Sequence, residues 1–167
     1  MGAKIKTVKD DFPKIEKSLE GLNGKKVNVG VLGGGENAWL AGIHEYGCKI
    51  PVTDKMRAWF KGQGMPLKSS TTVITIPERS FLRAGFDEHN EAVLKKTKQL
   101  VGLVAAGKMT AEELCETVGL QLATKIKTYA RNLNSPPNSG FTVERKGSNN
   151  PLVDTGDMIG AIDYEVE

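Results

Sequence analysis

The residues able to do chemistry gather in the first third of the chain. "GGGENA", Gly33–Ala38, matches the G-x-G-x-x-A spacing with which a strand-to-helix turn cradles a pyrophosphate. Asp54 follows at roughly the 20-residue distance of the acid that holds a ribose. This supports one reading, a small nucleotide-binding enzyme using the Gly33–Ala38 loop, which stands as the alternative. Several features oppose it. A dinucleotide unit needs a second, parallel strand after the helix, and "CKIPVTD" puts Pro51 inside the candidate strand. Asp54 suits the first turn of a helix capped by Thr53, and Ala38–Tyr46 is short for the crossover helix. No Lys-Ser or Lys-Thr follows the glycines, so a P-loop is excluded. Glycines here serve a sharp exit from strand to helix at positive φ.

His44-Glu45 matches the first half of HExxH, but Cys48 stands where the second histidine would be. His44 and Cys48 could share a helix face, yet two ligands do not complete a zinc site and Gly47 ends that helix. His44 therefore reads as a packed or surface histidine. His89, on an apolar stripe, reads as a core or interface one. Cys48 and Cys115 lack CxxC spacing and read as reduced and structural. No flanking signature supports a Cys–His nucleophile pair, and Ser139-Gly140 lacks a GxSxG context. No catalytic, cofactor-binding or metal-binding residue is assigned, and no cofactor is expected.

The elements that would position these residues follow from periodicity. Asp10 and Asp11 can cap a helix with Pro13 in its first turn and Phe12, Ile15, Leu19 and Leu22 at helical spacing. Val27, Val29 and Val31 alternate as in a half-buried strand. A short helix to Gly47 and another from Thr53 precede "TTVITIP", a β-branched strand ended by Pro77. A long helix from near Ser80 carries Leu82, Phe86, His89, Val93, Leu100 and Val104 and stops at Gly107. "TAEE" is a capping box of Thr110 and Glu113 for a second long helix with Leu114, Val118, Leu122, Ile126, Tyr129 and Leu133. Residues 134–151 read as a long, mobile loop with a strand at Phe141–Glu144. Asp154 or Thr155 caps a short turn, after which Ile162, Tyr164 and Val166 alternate with Asp163 and Glu165. The expectation is one α+β domain over residues 1–167, a small antiparallel sheet of three or four strands packed against two long helices.

The chain has 167 residues, 39% of them apolar and 26% charged, enough for one domain with a core. No apolar run reaches the ~20 residues of a membrane span. Met1–Lys9 lacks the apolar region of a signal peptide, which points to synthesis in a cytoplasm. Net charge is +3, too mild for specific nucleic-acid binding to be expected. The charge is uneven: residues 119–147 carry five bases against Glu144 alone, whereas residues 152–167 carry five acids and no base. Opposite poles on one chain suit docking onto copies of itself or onto other proteins.

Three stretches in this order resemble one family: "AWLAGIHEYGCKIPVTDKMRAWFKGQGMPLKSST", "IPERSFLRAGFDE" and "NPLVDTGDMIGAIDYEVE". Together they resemble the neck, or tail-completion, proteins of tailed phages and prophages, including the Mu-like virion morphogenesis type. The resemblance covers roughly residues 27–167 with gaps; the pattern departs at Asp157, where the family often has a basic or other polar residue. It implies a subunit with no enzymatic activity that self-assembles, often as a ring, at the head–tail junction or tail terminus. Its partners would be itself and head-connector or tail-tube proteins, with no membrane. It would be made in the bacterial host cytoplasm and carried in a virion or prophage-derived particle. The resemblance also implies that Pro77, Arg79, Phe81 and Leu82 anchor a strand-to-helix junction, and that Asp154, Thr155 and Gly156 shape the turn into the last strand. Arg79 is expected to bridge to a carboxylate of a neighbouring subunit.

Overall fold

A computed structural model describes residues 10–167, so the reading of Met1–Lys9 lies outside the described residues. Two long helices form the frame: α4 (Leu82–Ala105) and α5 (Ala111–Asn132). Gly107, at φ 66°, lets the chain reverse between them. The expected capping box starts α5: Glu113 N–H donates to Thr110 Oγ1 at 3.1 Å, and Thr110 N–H donates back to the Glu113 carboxylate at 2.8 Å. Val93, Leu100 and Val104 of α4 and Leu114, Leu122 and Ile126 of α5 are buried, as the stripes required. Phe86 departs from its stripe: it is 46% exposed and lines an open groove beside β1.

Around the frame lie α1 (Phe12–Glu20), β1 (Val27–Val31), α2 (Gly35–Tyr46), β2 (Cys48–Pro51), α3 (Asp54–Gly62) and β3 (Val73–Ile76) before it. After it come α6 (Gly140–Lys146), α7 (Asp157–Gly160) and β4 (Ile162–Val166). The class is α+β, and among the described residues all strand pairs are antiparallel. The four strands do not form one sheet, however: β1 pairs with β4, and β2 with β3, as two separate ribbons. The β1–β4 ribbon lies on α5. Gly119 permits this close approach, since a methyl there would overlap the Tyr164 ring and sit 3.0 Å from Val27. Val29, Val31 and Ile162 enter a core built from Phe81, Val93, Ile126, Met158 and Ile159. A second cluster joins Leu19 and Leu22 to Leu100, Val104, Leu114 and Cys115, and Val118 touches both.

Beyond each other, neither β2 nor β3 has an extensive contact with another element. With α3 they make an arm, residues 48–76, whose connecting loop is held by Arg57 donating to the carbonyls of Lys68 and Thr71 at 3.0 and 2.6 Å. Pro51, read as an obstacle to a strand, sits at the end of β2 on an edge, where a missing N–H is tolerated.

The segment 134–151 corrects the expected strand: Phe141–Glu144 lies within α6. Ser139 caps it, accepting from Thr142 N–H at 3.3 Å, and Gly147 ends it in the left-handed region. Among the described residues no helix is long and apolar enough to cross a membrane.

Candidate functional site

The last turn of α2, "IHEYG", meets the stretch "PERSFLR" that leads into α4. A helix begins with unsatisfied N–H groups, and α4 has no side-chain cap of its own. Glu45 supplies one from another element. Its carboxylate accepts from the N–H groups of Phe81, Leu82 and Arg83 at 2.8, 2.9 and 3.1 Å. It also accepts from Ser80 Oγ at 2.8 Å and Arg83 Nε at 2.9 Å. Glu45 is 2% exposed. Burial by itself would raise its pKa, but the hydrogen bonds from Leu82, Arg83 and Ser80 together outweigh burial and hold the carboxyl below its ordinary value.

The neighbours of Glu45 complete the joint. The His44 carbonyl accepts from Arg79 N–H at 2.7 Å. Burial, then the nearby positive charges of Arg79 and Lys146, lowers the His44 pKa to about 4, so the ring is neutral at pH 7. Arg83 lies over the Tyr46 ring, 4.8 Å from its centroid, and reaches Glu78 at 2.8 Å. Gly47, at φ 71°, lets the chain pass against β3's end: a methyl there would sit 2.9 Å from Glu78 N.

Arg79 carries the joint to the segment after α5. It is 4% exposed and donates to the carbonyls of Pro136 and Pro137 at 2.8 and 2.9 Å and to Asn138 Oδ1 at 3.1 Å. The expected bridge to a neighbouring subunit is therefore corrected: these donors are spent inside the chain. Asn138 in turn donates to the Asn150 carbonyl at 3.3 Å. Asn150 donates to the Arg131 carbonyl at 2.6 Å and accepts from Leu152 and Val153 N–H groups.

The other expected residues fall in two places. Pro77 follows β3 directly, Phe81 is fully buried, and Leu82 opens α4 against the same core. Asp154 and Thr155 are exposed. Thr155 Oγ1 accepts from Asp157 N–H at 3.3 Å and donates to its carboxylate at 2.6 Å, and Gly156 takes φ 94° to start α7. The two groups meet only through their apolar neighbours, since Met158 and Ile159 share the core of Phe81. Sequence reasoning missed Glu45 as the hub. Its signal was an acid in the last turn of a helix, where the dipole disfavours one.

Chemically this is a joint. Both Glu45 oxygens are committed to donors, and no group of three or more potential metal ligands is found among the described residues. Cys115 is buried, and burial pushes its thiol pKa up. The glycine loop takes the expected positive φ at Gly33, Gly34 and Gly35. But β1 and β2 lie in different ribbons, so β1–α2–β2 is not the parallel unit that a dinucleotide site requires. Asp54 is in the first turn of α3, with Thr53 capping it by accepting from Met56 N–H at 3.2 Å.

Two further surfaces adjoin the joint, one of them lined in part by its Leu82 and Arg83. A groove of about 570 Å³ lies between β1 and the start of α4, with Leu122 and Ile126 as floor and Phe86 and Asp87 on its far side. Large apolar side chains also face solvent singly, Trp39 at 67% and Tyr46 at 68% exposed among them. No family model matches the chain, and neither a curated protein nor a solved structure is significantly similar to it.

Proposed function

We propose that the chain is a structural subunit of a tailed phage or prophage, acting at the head–tail junction or the tail terminus. It works by contact: it associates with copies of itself, ring-fashion, and with head-connector or tail-tube proteins, and transforms no substrate. One observation carries this reading. Two of the three stretches that resemble neck and tail-completion proteins meet in one joint, Glu45 and His44 from the first and Arg79, Ser80 and Arg83 from the second, and the third is tied to it where Asn138 bridges Arg79 to Asn150. That convergence gives the spacing of the stretches a common physical cause, a rigid scaffold.

The test is genetic and visual. Deleting the coding sequence from the phage or prophage that carries it should leave filled heads and tails unjoined, or tails of irregular end, in electron micrographs. Adding back the purified protein should restore joined, infectious particles. Normal particles from the deletion overturn the reading. A nucleotide-dependent rise in melting temperature, absent after Gly34→Val, would favour the nucleotide-binding alternative instead.

A further inference from the structure

Neither hydrophobic core reaches the arm. No residue of 48–76 is buried, and none belongs to the two clusters packed on α4 and α5. Among the described residues its hydrogen bonds close within the arm. They are the β2–β3 ladder, Val52 N–H to the Thr72 carbonyl at 2.9 Å, the α3 turns with the Thr53 cap, and the grip of Arg57 on the carbonyls of Lys68 and Thr71. The arm is therefore a unit with ties of its own, joined to the body by a narrow root. Both chain crossings lie there, Gly47 at φ 71° on the way in and Pro77 on the way out.

What leans on the arm from outside is α6. The Phe60 and Phe141 rings lie 6.0 Å apart between centroids, and the Arg145 guanidinium sits 5.5 Å from the centroid of Trp59. Among the described residues α6 contributes no buried side chain and has no extensive contact with any other element. It is slung between two anchors on the body. Arg79 holds Pro136, Pro137 and Asn138 before it, and the Arg131 carbonyl accepts from Asn150 Nδ2 at 2.6 Å after it. A helix tied at both ends, with one aromatic ring and one cation against the arm, is placed to fix that arm and not to fill a core.

We infer that residues 134–151 are a latch: through Phe141 and Arg145, α6 fixes the arm in place, and without that clasp the arm swings as a body about Gly47 and Pro77. Gly47 gives the root its backbone freedom. Two side-chain contacts at the surface can open without unfolding either part, whereas the arm's backbone ladder cannot. This hinge belongs to the single chain and does not depend on self-association.

A spin-label distance on the full chain tests this, with Lys68→Cys in the loop between α3 and β3 and Leu120→Cys on α5. Both positions are exposed; Cys48→Ser removes the half-buried thiol, and Cys115 is buried. The latched chain should give one narrow distance. Phe141→Ala with Arg145→Ala, both outside the cores, should lose that single distance to a broad distribution, while amide exchange at Val52 and Ile126 stays as slow as before. Trp59→Ala, made on the arm with α6 untouched, should broaden it in the same way. An unchanged narrow distance in both variants overturns the latch, because the root alone would then fix the arm. A distribution already broad in the unaltered chain overturns it as well. Faster exchange at Val52 means that the arm frays instead of swinging, and counts equally against it.

Discussion

Glu45 holds its charge for structural ends, and that has a consequence for acid stability. Its folded pKa lies below the ordinary carboxyl value, and the His44 pKa, at about 4, lies below the ordinary 6.5. Each unfolded group therefore binds protons at a higher pH than its folded counterpart, so stability falls as pH falls. His44 contributes the loss between about pH 6.5 and 4, and Glu45 adds to it below its ordinary value of 4.5. The denaturant midpoint should drop between pH 7 and pH 4.5, with the His44 share on the order of 1–2 kcal/mol after solvent screening. In His44→Gln that share of the drop should vanish; an unchanged pH profile would rule out the buried neutral ring as its source. Arg79 is the second residue whose loss should be felt within a single chain. Arg79→Ala strips the Pro136 and Pro137 carbonyls of their donor and should cost about 2–4 kcal/mol in urea unfolding. Arg79→Lys should recover little, because one ammonium cannot reproduce the fork.

Between elements, Gly102 of α4 and Gly119 of α5 have opposite surroundings and make a direct comparison. Gly119→Ala pushes a methyl into the Tyr164 ring and Val27, lifting the β1–β4 ribbon from α5; it should destabilise by about 1–3 kcal/mol. Gly102→Ala, in α4 with open space around it, should stabilise by about 0.5–1 kcal/mol. Equal effects on thermal unfolding would mean that the close helix–ribbon approach does not matter. Legibility in the sequence varied by element for a physical reason. The capping box at Thr110 was readable because its partner is three residues away, and the alternation of Ile162, Tyr164 and Val166 because the pattern itself spans only five residues, although the paired strand is distant. The α6 segment was misread because Phe141, Thr142 and Val143 favour strands, while the better signal was its bracketing by Ser139 and Gly147.

At the scale of the whole molecule, the arm with five bases and the C-terminal region with five acids should make the proposed self-association salt-sensitive. Light scattering at fixed protein concentration should show smaller species as ionic strength rises from about 0.05 M to 0.5 M, where the screening length falls below about 5 Å. Growth of the species with salt would instead assign the contact to apolar burial alone.

The sequence by itself determined the class of the fold, the two long helices, most strands and the turns, since periodicity, caps and glycines act over one to four residues. It did not show how distant stretches fit together. Only the tertiary structure decided that four strands make two ribbons, that Glu45 caps a helix beginning more than thirty residues later, and that Arg79 grips a segment nearly sixty residues away. Those choices depend on which polar groups are left unsatisfied once the helices pack. That condition exists only when distant parts of the chain have already met.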